Sequence, residues 1–129
     1  MRVIGAFSHG IIDYATVILL ALGPSVSGFR GKQALMCYAL ALVHFMLSII
    51  TRYPLGVSKS LPFPIHGAIE FVVAILLIIL PWLANFSAGV HSRNFFLAIG
   101  MLVLIIWILT DYRSRRSAGR ATDPEATVR

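Results

Sequence analysis

Two short segments of this chain carry side chains capable of chemistry: His9-Gly10-Ile11-Ile12-Asp13-Tyr14 and His66-Gly67-Ala68-Ile69-Glu70-Phe71. In each, a histidine precedes a carboxylate by four positions, and side chains four apart share one face of an α-helix. His9 therefore stacks over Asp13, and His66 over Glu70. A third histidine, His44, shares a helix face with Cys37, Ala41, Ser48 and Thr51. Paired imidazole and carboxylate suit a divalent metal such as zinc or iron, with His9, Asp13, His66 and Glu70 as its ligands. Imidazole alone, from His9, His44 or His66, suits the axial position of haem or a chlorophyll-type pigment. Carboxylates at membrane depth also serve proton or small-solute movement. The plainest alternative is structural: polar side chains that hold helices together, each contributing about 0.6 kcal/mol.

The elements that position these residues follow from composition. Of 129 residues, 58% are hydrophobic and 12% charged, against about 25% charged in an ordinary soluble domain. Such a chain cannot cover a globular surface with polar groups, so a soluble monomer and a disordered chain are both excluded. One cysteine, Cys37, excludes a disulfide scaffold and thiolate metal clusters. Apolar stretches at residues 3–22, 34–50, 65–83 and 94–110 are each close to the roughly 20 residues a helix needs to cross a bilayer. Period-two alternation is absent, so these are helices and not barrel strands. Pro24 and Pro81 are expected to end the first and third helices. Eleven residues separate Asp13 from Pro24 and Glu70 from Pro81, which puts both carboxylates roughly 16 Å from one boundary, near the midplane.

The two His-acid segments belong to a longer internal match. Leu19-Leu20 aligns with Leu76-Leu77, Pro24 with Pro81, Phe29 with Phe86, and Thr51-Arg52-Tyr53 with Thr110-Asp111-Tyr112. The expected fold is thus all-α, a four-helix transmembrane bundle of two parallel helical-hairpin repeats, residues 3–53 and 62–112. A pseudo-twofold axis along the membrane normal brings the two His-carboxylate pairs together at the bundle centre. The repeated His-x-x-x-(Asp/Glu)-(Tyr/Phe) opening, the proline motifs Gly23-Pro24-Ser25 and Leu80-Pro81-Trp82, and the Thr-x-Tyr endings resemble the SPW-repeat integral membrane proteins. That resemblance implies a bacterial-type membrane protein without an established activity, so it supplies no catalytic residue.

Basic residues set the orientation. One side collects Arg2, Arg52, Lys59, Arg113, Arg115, Arg116, Arg120 and Arg129, and the other only Arg30, Lys32 and Arg93. The positive-inside rule places both termini in the cytoplasm, in an inner, plasma-type membrane. The first span is read as retained, because Pro24 is a poor context for signal cleavage. Residues 113–129 read as a basic, disordered cytoplasmic tail near anionic lipid headgroups. Nucleic acid is not an expected partner, since the basic residues flank a span and lack interleaved aromatics.

The remaining expectations concern packing. Arg52 and Asp111, at equivalent span ends, are expected to form an ion pair. Trp82, Trp107, Tyr53 and Tyr112 read as interfacial anchors. Gly5, Gly10, Gly67 and Gly100 read as points of close helix approach. Cys37 reads as a small hydrophobe, and His91 as a solvated loop residue. Tyr14 and Phe71 are expected to pack.

Enzyme signatures are missing: there is no phosphate loop, no His-Glu-x-x-His, and no nucleophile beside a base. The sequence thus reads as a small structural or accessory membrane protein, alone, as a homo-oligomer or as a subunit of a larger complex. The alternatives are a metal- or cofactor-binding protein and a translocator.

Overall fold

The computed structural model describes residues 2–113; apart from Arg113, the basic tail lies outside the described residues. The chain is all-α, with helices α1 (Ala6–Ser27), α2 (Lys32–Ile50), α3 (Phe63–Leu83) and α4 (Val90–Leu109). Their lengths of 19 to 22 residues correspond to about 29–33 Å of helix, matching a hydrocarbon layer of about 30 Å. All four are long and apolar enough to cross a membrane. Their outward faces are hydrocarbon, with Ile11, Leu42, Val72 and Ile105 all exposed. Exposed apolar faces on every helix call for lipid as the surrounding solvent.

α1 packs along α2, α3 packs along α4, and α1 also touches α4. At one end the interior is apolar, built from Leu20, Phe29, Ala34, Cys37, Leu77, Phe86 and Phe96. Gly100 allows the close approach of α4 to α3: a Cβ there would stand 3.1 Å from the Ala74 carbonyl oxygen. Gly5 has no such role, since a Cβ there meets nothing within 4 Å. At the other end the interior is polar, holding His9, Asp13, His44, His66 and Glu70.

Pro24 and Pro81 do not end their helices as expected; each lies inside the last turn, of α1 and α3 respectively. A proline in a helix deprives the carbonyl four residues earlier of its donor. For Pro24 that carbonyl belongs to Leu20, and the Cys37 thiol donates to it at 3.1 Å. Cys37 is therefore a hydrogen-bond donor that repairs the helix, beyond being a small apolar side chain. α1 then runs to Ser27 and closes on Gly28, whose left-handed backbone (φ 71°) turns its N–H back to the Pro24 carbonyl. The Pro81 carbonyl similarly accepts the Phe86 N–H at 2.8 Å. The loop between α1 and α2 is accordingly shorter than the Gly/Ser/Pro composition suggests. α4 likewise starts earlier than its apolar run, at Val90.

Candidate functional site

Two backbone clasps set the register of the polar end. The segment entering α1 pairs with the end of α4 through an Ile4–Thr110 bridge, and the end of α2 pairs with the segment entering α3 through Thr51–Leu61. Val3 and Ile4 donate to the Leu109 carbonyl at 2.8 and 3.0 Å, and Asp111 N–H donates to Ile4 at 2.9 Å. In the second clasp, Arg52 N–H donates to Leu61, and Leu61 N–H to Ile50, both at 2.8 Å. These clasps bring Thr110 beside His9 and Thr51 beside His66.

The four residues singled out in the sequence come together. His9 Nε2 lies 3.2 Å from Asp13 Oδ1 and 3.3 Å from Glu70 Oε2. His66 Nε2 lies 3.3 Å from Asp13 Oδ2 and 3.9 Å from Glu70 Oε2. The two Nε2 atoms are 3.3 Å apart. One ligand atom from each residue falls within 4.8 Å of all the others. The group is sealed, with exposures of 0% for both histidines, 1% for Asp13 and 2% for Glu70.

The threonines decide which imidazole nitrogens carry hydrogen. Thr51 Oγ1 donates its one proton to the Leu47 carbonyl at 2.6 Å, and Thr110 Oγ1 donates to Ile106 at 2.7 Å. Each hydroxyl is then left only as an acceptor toward the ring beside it. His66 Nδ1 stands 2.8 Å from Thr51 Oγ1 and His9 Nδ1 stands 2.9 Å from Thr110 Oγ1. The network therefore assigns the proton of both neutral rings to Nδ1, and both Nε2 atoms present lone pairs to the centre. In the neutral form of both rings, two nitrogen lone pairs and two carboxyl groups converge at the centre.

Tyr53 and the half-buried Tyr112, read from the sequence as interfacial anchors, turn their hydroxyls onto the acids of the site. Tyr53 is fully buried, and its hydroxyl donates to Asp13 Oδ2 at 3.0 Å. The Tyr112 hydroxyl donates to Glu70 Oε2 at 2.6 Å. Burial, followed by the charge of Asp13 or Glu70, pushes both phenols far above their ordinary range, so they remain donors. The glycines preceding the acids make room for these rings and not for a neighbouring helix. A Cβ on Gly10 would stand 3.0 Å from the Tyr53 ring, and one on Gly67 would stand 2.6 Å from Tyr112. Phe63 covers the site from the loop side, its ring centroid 5.3 Å from His9 and 4.8 Å from Tyr112.

His44, on α2, is 4% exposed. Its Nε2 points toward Asp13 Oδ1 at 3.7 Å and makes no hydrogen bond. Arg52 and Asp111 are placed in their own loops: Arg52 Nε donates to Lys59 at 2.7 Å, and Asp111 Oδ1 accepts the Arg113 N–H at 3.0 Å. His91 Nδ1 meets the Ser27 carbonyl at 3.0 Å, tying α4 to the end of α1. Tyr14 donates to the Leu55 carbonyl at 3.0 Å, and Phe71 packs on Trp107.

Chemically, two imidazoles and two carboxyl groups, with ligand atoms within 4.8 Å of one another, form a set that could hold a metal ion, in a sealed interior where an uncompensated charge is very costly. A tetrapyrrole does not fit on His9 or His66: their Nε2 atoms face one another 3.3 Å apart, beside Asp13, Glu70, Tyr53, Tyr112 and Phe63. The Thr51/Thr110 and Tyr53/Tyr112 roles were visible in the sequence only as the repeated Thr-x-Tyr ending. Compared with protein-family models, curated proteins and solved structures, the chain matches none.

Proposed function

We propose that this is a small multi-pass membrane protein that binds one divalent transition-metal ion between α1 and α3 through His9, Asp13, His66 and Glu70. The observation that carries this reading is the convergence of four potential ligand atoms: His9 Nε2 and His66 Nε2 stand 3.3 Å apart beside Asp13 and Glu70, and Thr51 and Thr110 sit at Nδ1, so that each neutral ring turns its Nε2 lone pair inward. A divalent ion neutralises the carboxylates and occupies the shared point. Around a tetrahedral ion with metal–ligand distances of about 2.0–2.1 Å, neighbouring donors lie roughly 3.3–3.4 Å apart. Of the six pairs these residues make, four have a distance of 3.2 or 3.3 Å, counting either oxygen of Asp13, and His66–Glu70 is 3.9 Å. Imidazoles bonded through Nδ1–H to an oxygen, and carboxylates held by phenols, are the outer partners that metal ligands ordinarily have.

The purely structural or accessory reading also explains four lipid-facing helices, and there protons shared among the imidazoles and carboxyls must neutralise the centre, each Nε2 standing 3.2 or 3.3 Å from a carboxylate oxygen. Held by protein donors in a sealed interior, a metal here has the character of a structural or storage ion.

The surrounding assignment forms part of the same proposal. The chain is a duplicated hairpin of SPW-repeat type in the plasma membrane, with both termini cytoplasmic and the clasped, Arg-rich end facing inward. In support, each hairpin supplies the same set of His, acid, Thr and Tyr. Each threonine reaches across to the other hairpin's histidine, while each tyrosine serves the acid of its own. Purification in mild detergent without chelator, followed by elemental analysis, tests the function. About one transition-metal ion per chain, lost in His9→Ala/His66→Ala, is the expected result; a metal-free chain that takes up neither zinc nor iron refutes it.

A further inference from the structure

The four-residue site is matched between the two hairpins, but its surroundings are not. His44 is the one imidazole near the centre without a matched partner; the corresponding position on α4, by the internal alignment, holds Val103. Val103 is itself buried, at 2% exposure, so the bundle accepts a hydrocarbon side chain in this setting. Packing alone therefore does not call for an imidazole on α2.

His44 Nε2 is also the buried side-chain polar atom left without a hydrogen bond among the described residues. Its separation of 3.7 Å from Asp13 Oδ1 is too long for a hydrogen bond, which ends near 3.2 Å for nitrogen and oxygen. It is, however, a normal spacing between two ligands of one ion. For bonds of about 2.1 Å, donors separated by 120° stand roughly 3.6 Å apart. Asp13 Oδ1 is the oxygen already 3.2 Å from His9 Nε2. Its other oxygen, Oδ2, is taken up by Tyr53 and His66.

From this geometry we infer that His44, which stands beside the four-residue group with its Nε2 aimed at Asp13 Oδ1, closes onto the bound ion as a third imidazole ligand and raises its coordination to five. This inference rests on the metal reading above and deepens it by naming the ion class. Three nitrogens with two carboxylate oxygens favour the later first-row ions from iron to zinc, and disfavour magnesium and calcium, which take oxygen donors. The asymmetry also gives the site a direction: a ligand from α2 and none from α4 ties the ion more firmly to the first hairpin.

Cobalt(II), titrated into the full-length protein in detergent after chelator treatment, is the probe. Its visible bands are weak in five-coordinate sites and strong in tetrahedral ones. The wild type is expected to bind one equivalent with five-coordinate bands, undiminished by excess magnesium or calcium. His44→Val and His44→Gln should still bind, with affinity lower by on the order of 10–100-fold and with intensified, tetrahedral bands. Unchanged bands and affinity in both variants would overturn the assignment of His44 while leaving the four-residue site standing. No cobalt or zinc uptake by the wild type would overturn both. Should the variants fail to fold, pulsed electron paramagnetic resonance of the wild type loaded with copper(II) counts the imidazoles directly. Three support the inference and two refute it.

Discussion

His9 Nε2 and His66 Nε2 face one another across 3.3 Å, while the Nδ1 atom of each ring is held by a threonine at the end of a helix in the other hairpin. The arrangement interlocks the two hairpins through their polar centre. Thr110 on the second hairpin fixes a ring of the first, and Thr51 on the first fixes a ring of the second.

The threonines are accordingly the first place to perturb. Thr51→Val and Thr110→Val keep the volume of the side chain but remove the acceptor that holds Nδ1–H. Each ring is then free to put its proton on Nε2, against the ion. Metal affinity should fall about 10–100-fold in each variant, measured by competition with a chelating dye. Thr→Ser at the same positions retains the hydroxyl and should restore most of the affinity. Equal losses in the Ser and Val variants would show that packing, and not the acceptor, is responsible.

The tyrosines give the pH dependence. Tyr53 and Tyr112 have pKa values raised in the folded protein above the ordinary value of 10.0. The unfolded chain therefore releases these protons first as pH rises. Their contribution to stability is complete below pH 10 and diminishes above it. In a spectrophotometric titration of the folded protein, neither phenol should ionise near pH 10, so Tyr53→Phe and Tyr112→Phe should leave the tyrosinate amplitude there unchanged. A loss of amplitude in either variant would mean that its phenol is solvated.

Gly67→Ala should be more damaging than Gly10→Ala. The added methyl meets the Tyr112 ring at 2.6 Å in the first case and the Tyr53 ring at 3.0 Å in the second. Overpacking of this kind costs about 1–3 kcal/mol. Displacement of Tyr112 also removes the hydroxyl from Glu70. Unfolding in detergent by thermal denaturation should rank wild type above Gly10→Ala, and Gly10→Ala above Gly67→Ala. The reverse order of the two variants would place the rings elsewhere.

Much of this was legible in the sequence. The low charge and four apolar runs dictate helices in lipid, and the repeated His-x-x-x-acid spacing identifies the four central residues. Three features were not legible, each for a physical reason. Pro24 breaks no helix, because the donor that satisfies Leu20 is a thiol on another helix, a pairing that no local rule contains. Tyr53 and Tyr112 sit at helix ends, where aromatic residues ordinarily meet headgroups. Only the chain reversal after α2 and after α4 folds them inward, onto Gly10 and Gly67. The role of Thr51 and Thr110 depends on clasps between segments that are distant in sequence, so spacing along one helix does not reveal it.

Neutralising the acids separates a metal centre from polar glue. With Asp13→Asn and Glu70→Gln combined, the negative charge that calls for a cation is gone while hydrogen-bonding groups remain. The metal-free bundle should become more stable by about 1–4 kcal/mol and should bind no ion, by thermal denaturation with and without zinc. If the acids serve only to join helices, the double variant loses stability, and zinc affects neither protein.

The central claim is tested most directly by the metal content of the wild-type protein itself. Isolated in mild detergent without chelator from cells grown with iron and zinc, the protein should carry about one transition-metal ion per chain. X-ray absorption should then show imidazole scattering together with oxygen at about 2.0–2.2 Å. A folded protein that emerges free of metal and remains so when offered zinc, iron and cobalt would contradict the account.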